Sequence, residues 1–451
     1  MSELHVAVVG GGLAGLAAAL ECADAGATVT LYEARPRLGG ATFSIRRKGH
    51  WLDNGQHVAL RCCTEYRAFL RRIGVERLLA LQPRLRIPVL AEGRRPAVLE
   101  RGGLPAPLHL GGTLLRYGHL DVRERIAAAR AAADLRTLDP ADPQLDRETF
   151  GRWLRAHGQS DRAVGALWNL IALPTLNLNA DEASLALAAK VFRTGLLDSN
   201  DGCDVGVPAV PLQRLHAEPA AAALEERGGR IVTGARVRTI DYEGGGLRLR
   251  FDDTSEPADA VVVAVPHEAA GALLPADVLA PERLEELGHS PIVNVHLHYD
   301  RPVLREPFAA AVDSPVQWLF DRTEAAEVEQ GQLVSISISG ADRQIGVARA
   351  ELERQYVPAV ERLLPAASEA QLLDFAVTRE PRATFRGRPG QAALRPGPRT
   401  SVPGLYLAGA WTDTGWPATM EGAVRSGLTA ARAALDGPRP RAREEALETA
   451  A

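Results

Sequence analysis

The sequence predicts an α/β protein with a parallel sheet flanked by helices, joined to a second, mixed α+β domain. Three observations predict this fold: a strand, glycine turn and helix at the N-terminus, a continuous apolar strand at 258–265, and a strand followed by a long small-residue helix within 404–435. Strands of a parallel sheet are buried on both faces, so they read as continuous apolar runs. At roughly 150 residues per domain, the 451 residues correspond to two or three domains.

The N-terminal unit is a strand, turn, helix and strand whose turn reads Gly-Gly-Gly-Leu-Ala-Gly at 10–15. In such a turn Gly10 allows the tight bend, Gly12 lets the backbone approach a pyrophosphate, and Gly15 permits close helix–strand packing. Ala14 lies in the same turn, and Glu33 follows the second strand, where it can accept ribose hydroxyls. The unit predicts a Rossmann-like dinucleotide-binding site; the alternative is a turn that is merely tight.

The segment after Glu33 indicates which dinucleotide is bound. Arg35 and Arg37 supply two basic side chains, and Gly39-Gly40 supply a glycine pair where the pyrophosphate and ribityl chain of a flavin would pass. NAD needs no such extension, so FAD is the predicted cofactor. The alternative is a solvated arginine pair beside an ordinary loop. The neighbouring positions Ala34 and Ala41 belong to the same predicted cofactor-binding segment.

Composition disfavours several other classes of protein. Lys+Arg of 52 against Asp+Glu of 56 leaves a net charge of −4, so no global positive field attracts nucleic acid. The four cysteines show neither metal-ligand spacing nor a disulfide framework, so we expect no metal and a reducing, cytoplasmic compartment. Because the N-terminus lacks a basic region and no run of about 18 apolar residues occurs, we expect neither secretion by that route nor a membrane span.

Two C-terminal motifs resemble the flavin motif of the FAD-dependent amine oxidase and phytoene desaturase superfamily. They run over 405–412 (Leu-Tyr-Leu-Ala-Gly-Ala-Trp-Thr) and 415–427 (Gly-Trp-Pro-Ala-Thr-Met-Glu-Gly-Ala-Val-Arg-Ser-Gly). The resemblance covers nearly the whole chain and implies the amine oxidase type of FAD-binding fold, in which a helix N-terminus points at the flavin. It adds these cofactor-binding positions: Gly55, Gln56, His57, Val237, Gly409, Ala410, Met420, Glu421 and Ala423.

Within the superfamily, residues 53–58 (Asp-Asn-Gly-Gln-His-Val) and 174–177 (Pro-Thr-Leu-Asn) resemble the squalene-associated branch. Ala41 and Ala410 stand where the superfamily often has Arg and Asp, so flavin affinity depends more on the remaining contacts. Thr419 stands where an amine oxidase usually has an aromatic residue, and the chain has only two lysines, Lys48 and Lys190. Amine oxidation is therefore disfavoured.

The resemblance and the predicted elements divide the chain into discontinuous domains. The FAD-binding domain is predicted from residues 1–75, 206–270 and 390–437, and the substrate-binding domain from 76–205 and 271–389. Residues 438–451 are rich in proline and charge, which is typical of a flexible tail.

The reaction that the resemblance implies is reductive removal of the allylic hydroxyl of hydroxysqualene to give squalene, in hopanoid synthesis. Loss of water would leave an allylic cation that accepts hydride from reduced flavin N5, and the departing hydroxyl needs a proton donor. Asp53, His57 and Asp413 are the candidates, because their motifs adjoin the expected flavin position. Each has a structural alternative: a turn-capping carboxylate for Asp53, a packing histidine for His57 and loop capping for Asp413.

The expected substrate is a hydrophobic C30 isoprenoid. Trp411 and Trp416 flank the flavin motif and could stabilise a cation through their ring faces, and Trp168 begins an apolar helix that could wall a lipid tunnel; packing is the alternative for all three. Because such a substrate partitions into membranes, we expect peripheral membrane contact through the region 82–120, with these apolar residues: Leu104, Leu108, Leu110, Leu114 and Leu115.

Other hypotheses remain open from the sequence. No second Gly-x-Gly-x-x-Gly is present to bind a nicotinamide dinucleotide, so the electrons are expected from an external donor. An oxidative polyene desaturase would use the same hydride chemistry in an apolar tunnel. A non-catalytic isoprenoid carrier that retains a structural FAD is a hypothesis of another class, motivated by Ala41 and Ala410.

Overall fold

The computed structural model describes residues 4–243 and 246–437, so the predicted tail and part of the glycine turn at 244–246 lie outside the described residues. Within those residues the strands are, in chain order, β1 (His5–Val9), β2 (Thr28–Glu33), β3 (Ser44–Arg47), β4 (His50–Asp53), β5 (Ala59–Leu60), β6 (Leu79–Leu81), β7 (Arg86–Leu90), β8 (Ala97–Glu100), β9 (Val205–Pro208), β10 (Arg230–Thr233), β11 (Thr239–Glu243), β12 (Gly246–Arg250), β13 (Ser255–Ala258), β14 (Ala260–Val263), β15 (Ser290–Tyr299), β16 (Phe308–Ala311), β17 (Trp318–Asp321), β18 (Gln332–Ser339), β19 (Leu372–Thr384) and β20 (Leu405–Leu407).

The α-helices of the same residues are α1 (Leu13–Asp24), α2 (Thr64–Arg72), α3 (Gly111–Arg116), α4 (Val122–Thr137), α5 (Phe150–Ala156), α6 (Asp161–Ala163), α7 (Asn169–Leu176), α8 (Leu185–Phe192), α9 (Glu218–Glu226), α10 (His267–Leu273), α11 (Pro281–Glu285), α12 (Arg349–Leu363), α13 (Pro365–Ser368) and α14 (Met420–Leu435). Short π-helical turns join α6 to α7, extend α8 and precede α9: Val164–Trp168, Arg193–Leu197 and Gln213–Ala217.

A five-stranded parallel sheet, in the order β10-β2-β1-β14-β20, contains the N-terminal unit. Successive residues of a strand point to opposite faces. Val6 and Val8 of β1 pack with α1 and α14 on one face, whereas Ala7 and Val9 pack with the antiparallel strands β11–β13. This burial on both faces explains the continuous apolar strands and confirms the predicted α/β class.

Two predicted strands differ from the observed ones. The sequence pattern of 235–241 also predicts a strand, but the observed strand begins only at Thr239, because the preceding residues bond to the end of β2, with the amide of Ala235 donating to the carbonyl of Glu33. The apolar run 258–265 is divided between β13 and β14. Asp259 causes the break, because its carboxylate accepts from the amide of His5 at 2.8 Å and its own amide donates to the His5 carbonyl.

The second large sheet is mixed and has seven strands, in the order β19-β15-β18-β17-β16-β7-β8. β15 pairs antiparallel with both β18 and β19, whereas β16 pairs parallel with β7. Helix α12 packs on this sheet through Leu352, Tyr356 and Val360. A separate cluster joins β7 and β8 to helices α4, α5, α7 and α8.

Each sheet combines strands that are far apart in the chain. The parallel sheet takes strands from 5–33, 230–263 and 405–407, and the mixed sheet takes them from 86–100 and 290–384. We therefore keep the division into a discontinuous FAD-binding domain and a substrate-binding domain as a proposal. Among the described residues, no helix combines the length and apolar character needed to cross a bilayer.

Candidate active site

Two positions in the first turn of the parallel sheet have room for glycine only. Gly10 has a φ of +110°, and a Cβ on it would lie 2.5 Å from the carbonyl oxygen of Ala264. A Cβ on Gly15 would overlap the carbonyl oxygen of Gly10. Ala14 is buried between the turn and α14. These close approaches bring the N-terminus of α1 directly to the end of β1.

Gly12 leaves that helix N-terminus bare. A Cβ on Gly12 would meet only the Cα of Gly40 within 4 Å, at 3.7 Å, and no side chain caps α1. Gly40 itself has a φ of +55° and passes so close that its own Cβ would lie 2.8 Å from the Cα of Gly12. The uncapped N–H groups of a first helical turn attract an anion. The residues present therefore fit the pyrophosphate of FAD.

Glu33 is fixed at the end of β2 by backbone donors. Its Oε2 accepts from the amide of Gly11 at 2.7 Å, and its Oε1 accepts from the amide of Arg35 at 2.8 Å. The guanidinium of Arg37 lies 3.5 Å above the ring of Phe43, and burial lowers its pKa. These contacts hold an acidic group where the sequence predicts a ribose contact. Of the other predicted positions in this region, Ala34 and Ala41 are exposed, and Gly39 and Val237 are buried.

Arg395 organises the C-terminal motif, and sequence reasoning missed it. Its buried guanidinium donates to the carbonyl oxygens of Ala410 (3.2 Å), Thr412 (2.6 Å) and Trp416 (2.9 Å). Burial lowers the pKa of Arg395 to about 10, and these carbonyls solvate the charge. A segment rich in proline and arginine at 394–399 gave no signal of this role, because such segments are usually solvated loops.

Helix α14 presents its N-terminus at the end of the same motif. Thr419 caps this helix, with Oγ1 accepting from the amide of Gly422 at 3.1 Å, and Met420 and Ala423 occupy the first turn. Gly409, which has a φ of +137°, donates its amide to Ser426 Oγ at 2.8 Å. The motif and α14 thus form one unit, whose positive helix end can stabilise negative charge on a reduced flavin.

Glu421 anchors a neighbouring helix. It is fully buried, and its carboxylate accepts from the amides of Tyr66 at 2.8 Å and Glu65 at 3.2 Å in the first turn of α2. Arg425 Nε donates to the same carboxylate at 2.7 Å. Both oxygens are therefore occupied by protein donors, so the predicted contact of Glu421 with the cofactor could not come from a free carboxylate.

Asp53 forms a buried ion pair. Its Oδ2 lies 3.0 Å from Arg322 Nη2, and its Oδ1 accepts from Ser44 Oγ at 2.7 Å and from the amide of Leu212 at 3.1 Å. Both side chains of the pair are less than a tenth exposed. These three donors occupy both oxygens of the buried carboxylate. The contacts favour the structural alternative for Asp53, and Arg322 is a second functional residue that sequence reasoning missed.

The rest of the 53–58 motif contacts the seven-stranded sheet and a small cavity. The carbonyl of Asn54 accepts from Asn294 Nδ2 on β15 and from Thr378 Oγ1 on β19, both at 3.0 Å. Gln56 has a buried Nε2 without a partner among the described residues and lines a cavity of about 10 Å³ with Asp53. A cavity of that volume is about the size of one water molecule.

His57 and Asp413 have different environments. Burial lowers the pKa of His57, whose Nδ1 lies 3.1 Å from the carbonyl of Gly55, so the imidazole is neutral at pH 7. Asp413 is exposed and caps its turn, with Oδ1 accepting from the amide of Gly415 at 3.4 Å. The exposed position and the bond to the Gly415 amide match the loop-capping alternative.

The three predicted tryptophans make different contacts. Trp168 is buried, donates Nε1 to Gln159 and packs on Phe150, which is the packing alternative. Trp411 donates Nε1 to the carbonyl of Val265 at 2.9 Å. The ring of Trp416 faces two cations: Lys190 Nζ lies 4.9 Å and Arg425 Cζ 5.2 Å from its centroid.

Two further features lie away from the predicted flavin segments. A cavity of about 620 Å³ has one apolar lining residue, Leu173, among polar and charged ones, so it does not resemble a hydrocarbon tunnel. Glu268 lies between His267 and His289, a set that could hold a metal, but Arg382 also pairs with Glu268 at 3.3 Å. That cation already balances the carboxylate.

The fold and the site together define a dinucleotide-binding flavoprotein. The glycine turn, the acidic end of β2 and the N-terminus of α14 are the features that carry this conclusion. The family model described as "Flavin containing amine oxidoreductase" matches residues 13–435. The chain therefore belongs to the flavin-containing amine oxidoreductase family, and it is an FAD-dependent oxidoreductase, as predicted.

Individual relatives narrow the comparison. A hydroxysqualene dehydroxylase from Rhodopseudomonas palustris is 34% identical over 438 residues, covering 94% of this chain and 97% of that protein. A zeta-carotene desaturase from Synechocystis is 25% identical and covers 96% of this chain and 97% of its own length. The solved structure of a putrescine oxidase bound to putrescine superposes with a TM-score of 0.72 at 20% identity. The superposition covers 96% of this chain and 99% of that chain. The last similarity concerns the fold alone.

Proposed function

We propose that this oxidoreductase reductively removes the allylic hydroxyl of hydroxysqualene and produces squalene for hopanoid or other triterpenoid biosynthesis. The observation that carries the proposal is the 34% identity to a hydroxysqualene dehydroxylase along nearly the full length of both chains. Thr419 supports it, because the residue before Met420 caps α14 and offers no aromatic wall for an amine.

FAD would be held by the uncapped N-terminus of α1 at Gly12, by Glu33 at the ribose, and by the segment that Arg395 organises before α14. When bound and reduced, FAD supplies the hydride. The chain itself has to orient the alcohol, keep water away and deliver one proton to the departing oxygen. Of the three predicted proton donors, Asp53 is ion-paired, His57 is neutral and Asp413 is exposed.

The proposal includes peripheral contact with a membrane, because the substrate is a lipid. Leu104, Leu108 and Leu115 are 59%, 62% and 72% exposed, and Val122 and Ile126 nearby are also exposed. Leu110 and Leu114, the other two predicted contacts, are partly buried against the core. An exposed apolar cluster of this kind supports docking on a bilayer surface.

Liposome flotation tests the membrane contact. The wild-type chain should float with vesicles, and the triple variant L104S/L108S/L115S should remain in the bottom fraction, because it loses the apolar cluster. A matched control, I45S/L373S, removes two exposed apolar residues elsewhere and should float like the wild type. Equal flotation of both variants would count against the patch.

The second candidate is an oxidative polyene desaturase, favoured by the similarity to the zeta-carotene desaturase. Both candidates need an apolar site and a flavin hydride, and they differ in the redox state that reacts with substrate. The carrier hypothesis is dropped, because the chain belongs to a family of oxidoreductases.

An anaerobic reaction distinguishes the two candidates. The photoreduced protein is mixed with hydroxysqualene, flavin absorbance is followed, and the product is identified by mass. Reoxidation of flavin with formation of squalene supports the dehydroxylase. Bleaching of the oxidised flavin by squalene or another polyene, without reaction of the reduced form, would support the desaturase. In either case the external electron donor is bypassed, so its identity does not affect the outcome.

A further inference from the structure

Lys190 is a proton-bearing side chain near the C-terminal flavin motif that the proposed function has not yet used. It lies on α8, half-buried, with Nζ 4.9 Å from the centroid of the Trp416 ring. The chain has one other lysine, Lys48, which is exposed and pairs with Asp374 at 2.7 Å. No carboxylate forms an ion pair with Lys190 in the part of the chain that the structure describes.

Trp416 fixes the position of this ammonium relative to the motif. Its carbonyl accepts from Arg395 at 2.9 Å, and its amide donates to Thr414 Oγ1 at 3.2 Å. The indole is therefore held by the same contacts that organise the segment before α14. A cation over an indole face is attracted by the ring and keeps its N–H groups free to donate.

The charged groups around Lys190 favour proton donation. Arg425 on α14 and Arg193 beyond α8 repel the ammonium, whereas Glu421 and Cys62 attract it more weakly than burial opposes it. Burial is the largest effect, and it lowers the pKa of Lys190 below its ordinary value of 10.5. The carboxylate of Glu421 is already occupied by Arg425 and α2, so it does not neutralise Lys190.

The proton donor also has to suit an apolar site in which an allylic cation forms. A carboxylic acid that donates its proton leaves a carboxylate, which an apolar environment penalises. An ammonium that donates leaves a neutral amine, and the positive charge passes to the substrate, so no charge is created. Near the flavin motif, Lys190 meets this condition better than Asp53, whose carboxylate is buried in an ion pair with Arg322.

We propose that Lys190 is the catalytic proton donor for the departing hydroxyl. An N–H proton of the Lys190 ammonium moves to the hydroxyl oxygen, the C–O bond breaks with its electron pair on oxygen, and water leaves. The resulting allylic carbon accepts the two electrons and hydrogen of the flavin hydride, and the amine regains a proton from solvent. This inference rests on the proposed function, because it assigns a role in that reaction.

The two lysines allow a test that does not depend on turnover. Reductive methylation of the oxidised holoenzyme, measured by peptide mass spectrometry at several pH values, reports the titration of each amine separately. We expect Lys190 to titrate at lower pH than Lys48, and added hydroxysqualene to protect Lys190 while leaving Lys48 reactive. Equal modification of Lys190 with and without hydroxysqualene would overturn its placement at the substrate.

The kinetic test uses K190M, K190R and, as a matched control, K48M. K190M should retain its flavin spectrum and thermal midpoint but lose at least about 100-fold in the rate at which hydroxysqualene reoxidises the reduced flavin, as expected for loss of a general acid. K190R keeps the charge but is a poor acid, so it should be similarly slow; K48M should react like the wild type.

The outcomes separate the two proposals. A wild-type rate in K190M overturns the role of Lys190 and leaves the proposed function intact. Failure of the wild-type protein itself to react with hydroxysqualene overturns the proposed function and this role together. A slow K190M whose rate no longer falls at the alkaline pH where the wild-type rate falls supports the assignment, because a merely structural lysine would not remove that ionisation.

Discussion

At the scale of single residues, this site depends on where side chains are absent as much as on where they are present. Gly10 and Gly15 cannot carry a Cβ because backbone oxygens occupy the space, whereas Gly12 could carry one without a protein clash. The three glycines of this turn are therefore needed for two different reasons: Gly10 and Gly15 serve the fold, and we propose that Gly12 serves the ligand.

That difference gives the first prediction. Gly12→Ala should fold with an unchanged apoprotein thermal midpoint, because its Cβ meets only the Cα of Gly40 at 3.7 Å. It should weaken FAD binding at least about tenfold, or roughly 1.4 kcal/mol, because the methyl group occupies the path of the pyrophosphate. Titration of the apoprotein with FAD measures the affinity. Gly165→Ala, also in open space but away from the turn, is the control; wild-type FAD affinity in G12A would contradict the assignment.

A buried histidine gives the second prediction. His216 is enclosed with its Nε2 2.7 Å from Tyr66 Oη, and burial lowers its pKa from 6.5 to about 3. The unfolded chain binds this proton near pH 6.5 and the folded protein only near pH 3. Stability is therefore lost as pH falls below 6.5, by about 1.4 kcal/mol per pH unit, and above 6.5 the residue has no effect.

His216→Gln should accordingly lose less stability than the wild type on acidification. Between pH 6.5 and 4.5 the unfolding free energy of the wild type should fall by about 2 to 3 kcal/mol more than that of the variant. Urea unfolding at a series of pH values measures this difference, and a constant offset between the two proteins cancels. Parallel pH profiles for the two proteins would show that folding does not lower the pKa of His216.

At the scale of elements, helix α14 connects the site to the core. Its N-terminus is capped by Thr419 at the flavin motif, and its middle packs on α1 at Gly427, where a Cβ would overlap the carbonyl oxygen of Ala14. Helices approach this closely only where one of them has no side chain. The packing on α1 thus fixes where the positive end of α14 lies.

Gly427→Ala should therefore destabilise the protein although alanine favours a helix. The helix-propensity gain of about 1 kcal/mol is smaller than the cost of separating α1 from α14, which we expect at about 1 to 3 kcal/mol or more. The thermal midpoint measures the sum of the propensity gain and the packing cost. Gly112→Ala on α3, where a Cβ meets only the flexible end of Arg116, should leave the midpoint unchanged or raise it. A raised midpoint in G427A would contradict the close packing.

At the scale of the whole molecule, residues 53–58 bond to segments that lie far from them in the chain. Asp53 pairs with Arg322 beyond β17, and the carbonyl of Asn54 accepts from β15 and β19. Arg322 also donates to the carbonyl of Pro208 at 2.6 Å. The ion pair therefore fixes the relative position of the segments on either side of the site.

Breaking this pair should be costly. Arg322→Met leaves the Asp53 carboxylate buried and unpaired, so we expect a loss of about 3 to 5 kcal/mol in unfolding free energy. The double variant D53N/R322M should recover part of that loss, because no unpaired charge remains. Denaturant unfolding measures the cycle, and Arg238→Met, in an exposed pair with Asp252, should change little. A fully additive cycle would mean that the two charges do not interact.

The sequence alone determined the elements and chemistry that depend on local spacing. The turn at 10–15, the acid at 33 and the helix at 420–435 were predicted because tight turns, strand ends and helix faces are set by neighbouring residues. FAD and the family followed from the same segments. The limits of β13 and β14 did not, because Asp259 interrupts an apolar run through a contact with His5, more than 250 residues away in the chain.

Only the tertiary structure decided which polar side chains are free to react. Asp53 was a candidate proton donor until the structure placed Arg322 beside it, and nothing in the sequence placed Lys190 beside Trp416 and Arg425. Arg395 had no recognisable motif at all. The physical reason is that protonation and charge depend on burial and on partners brought together by folding, which spacing along the chain does not specify.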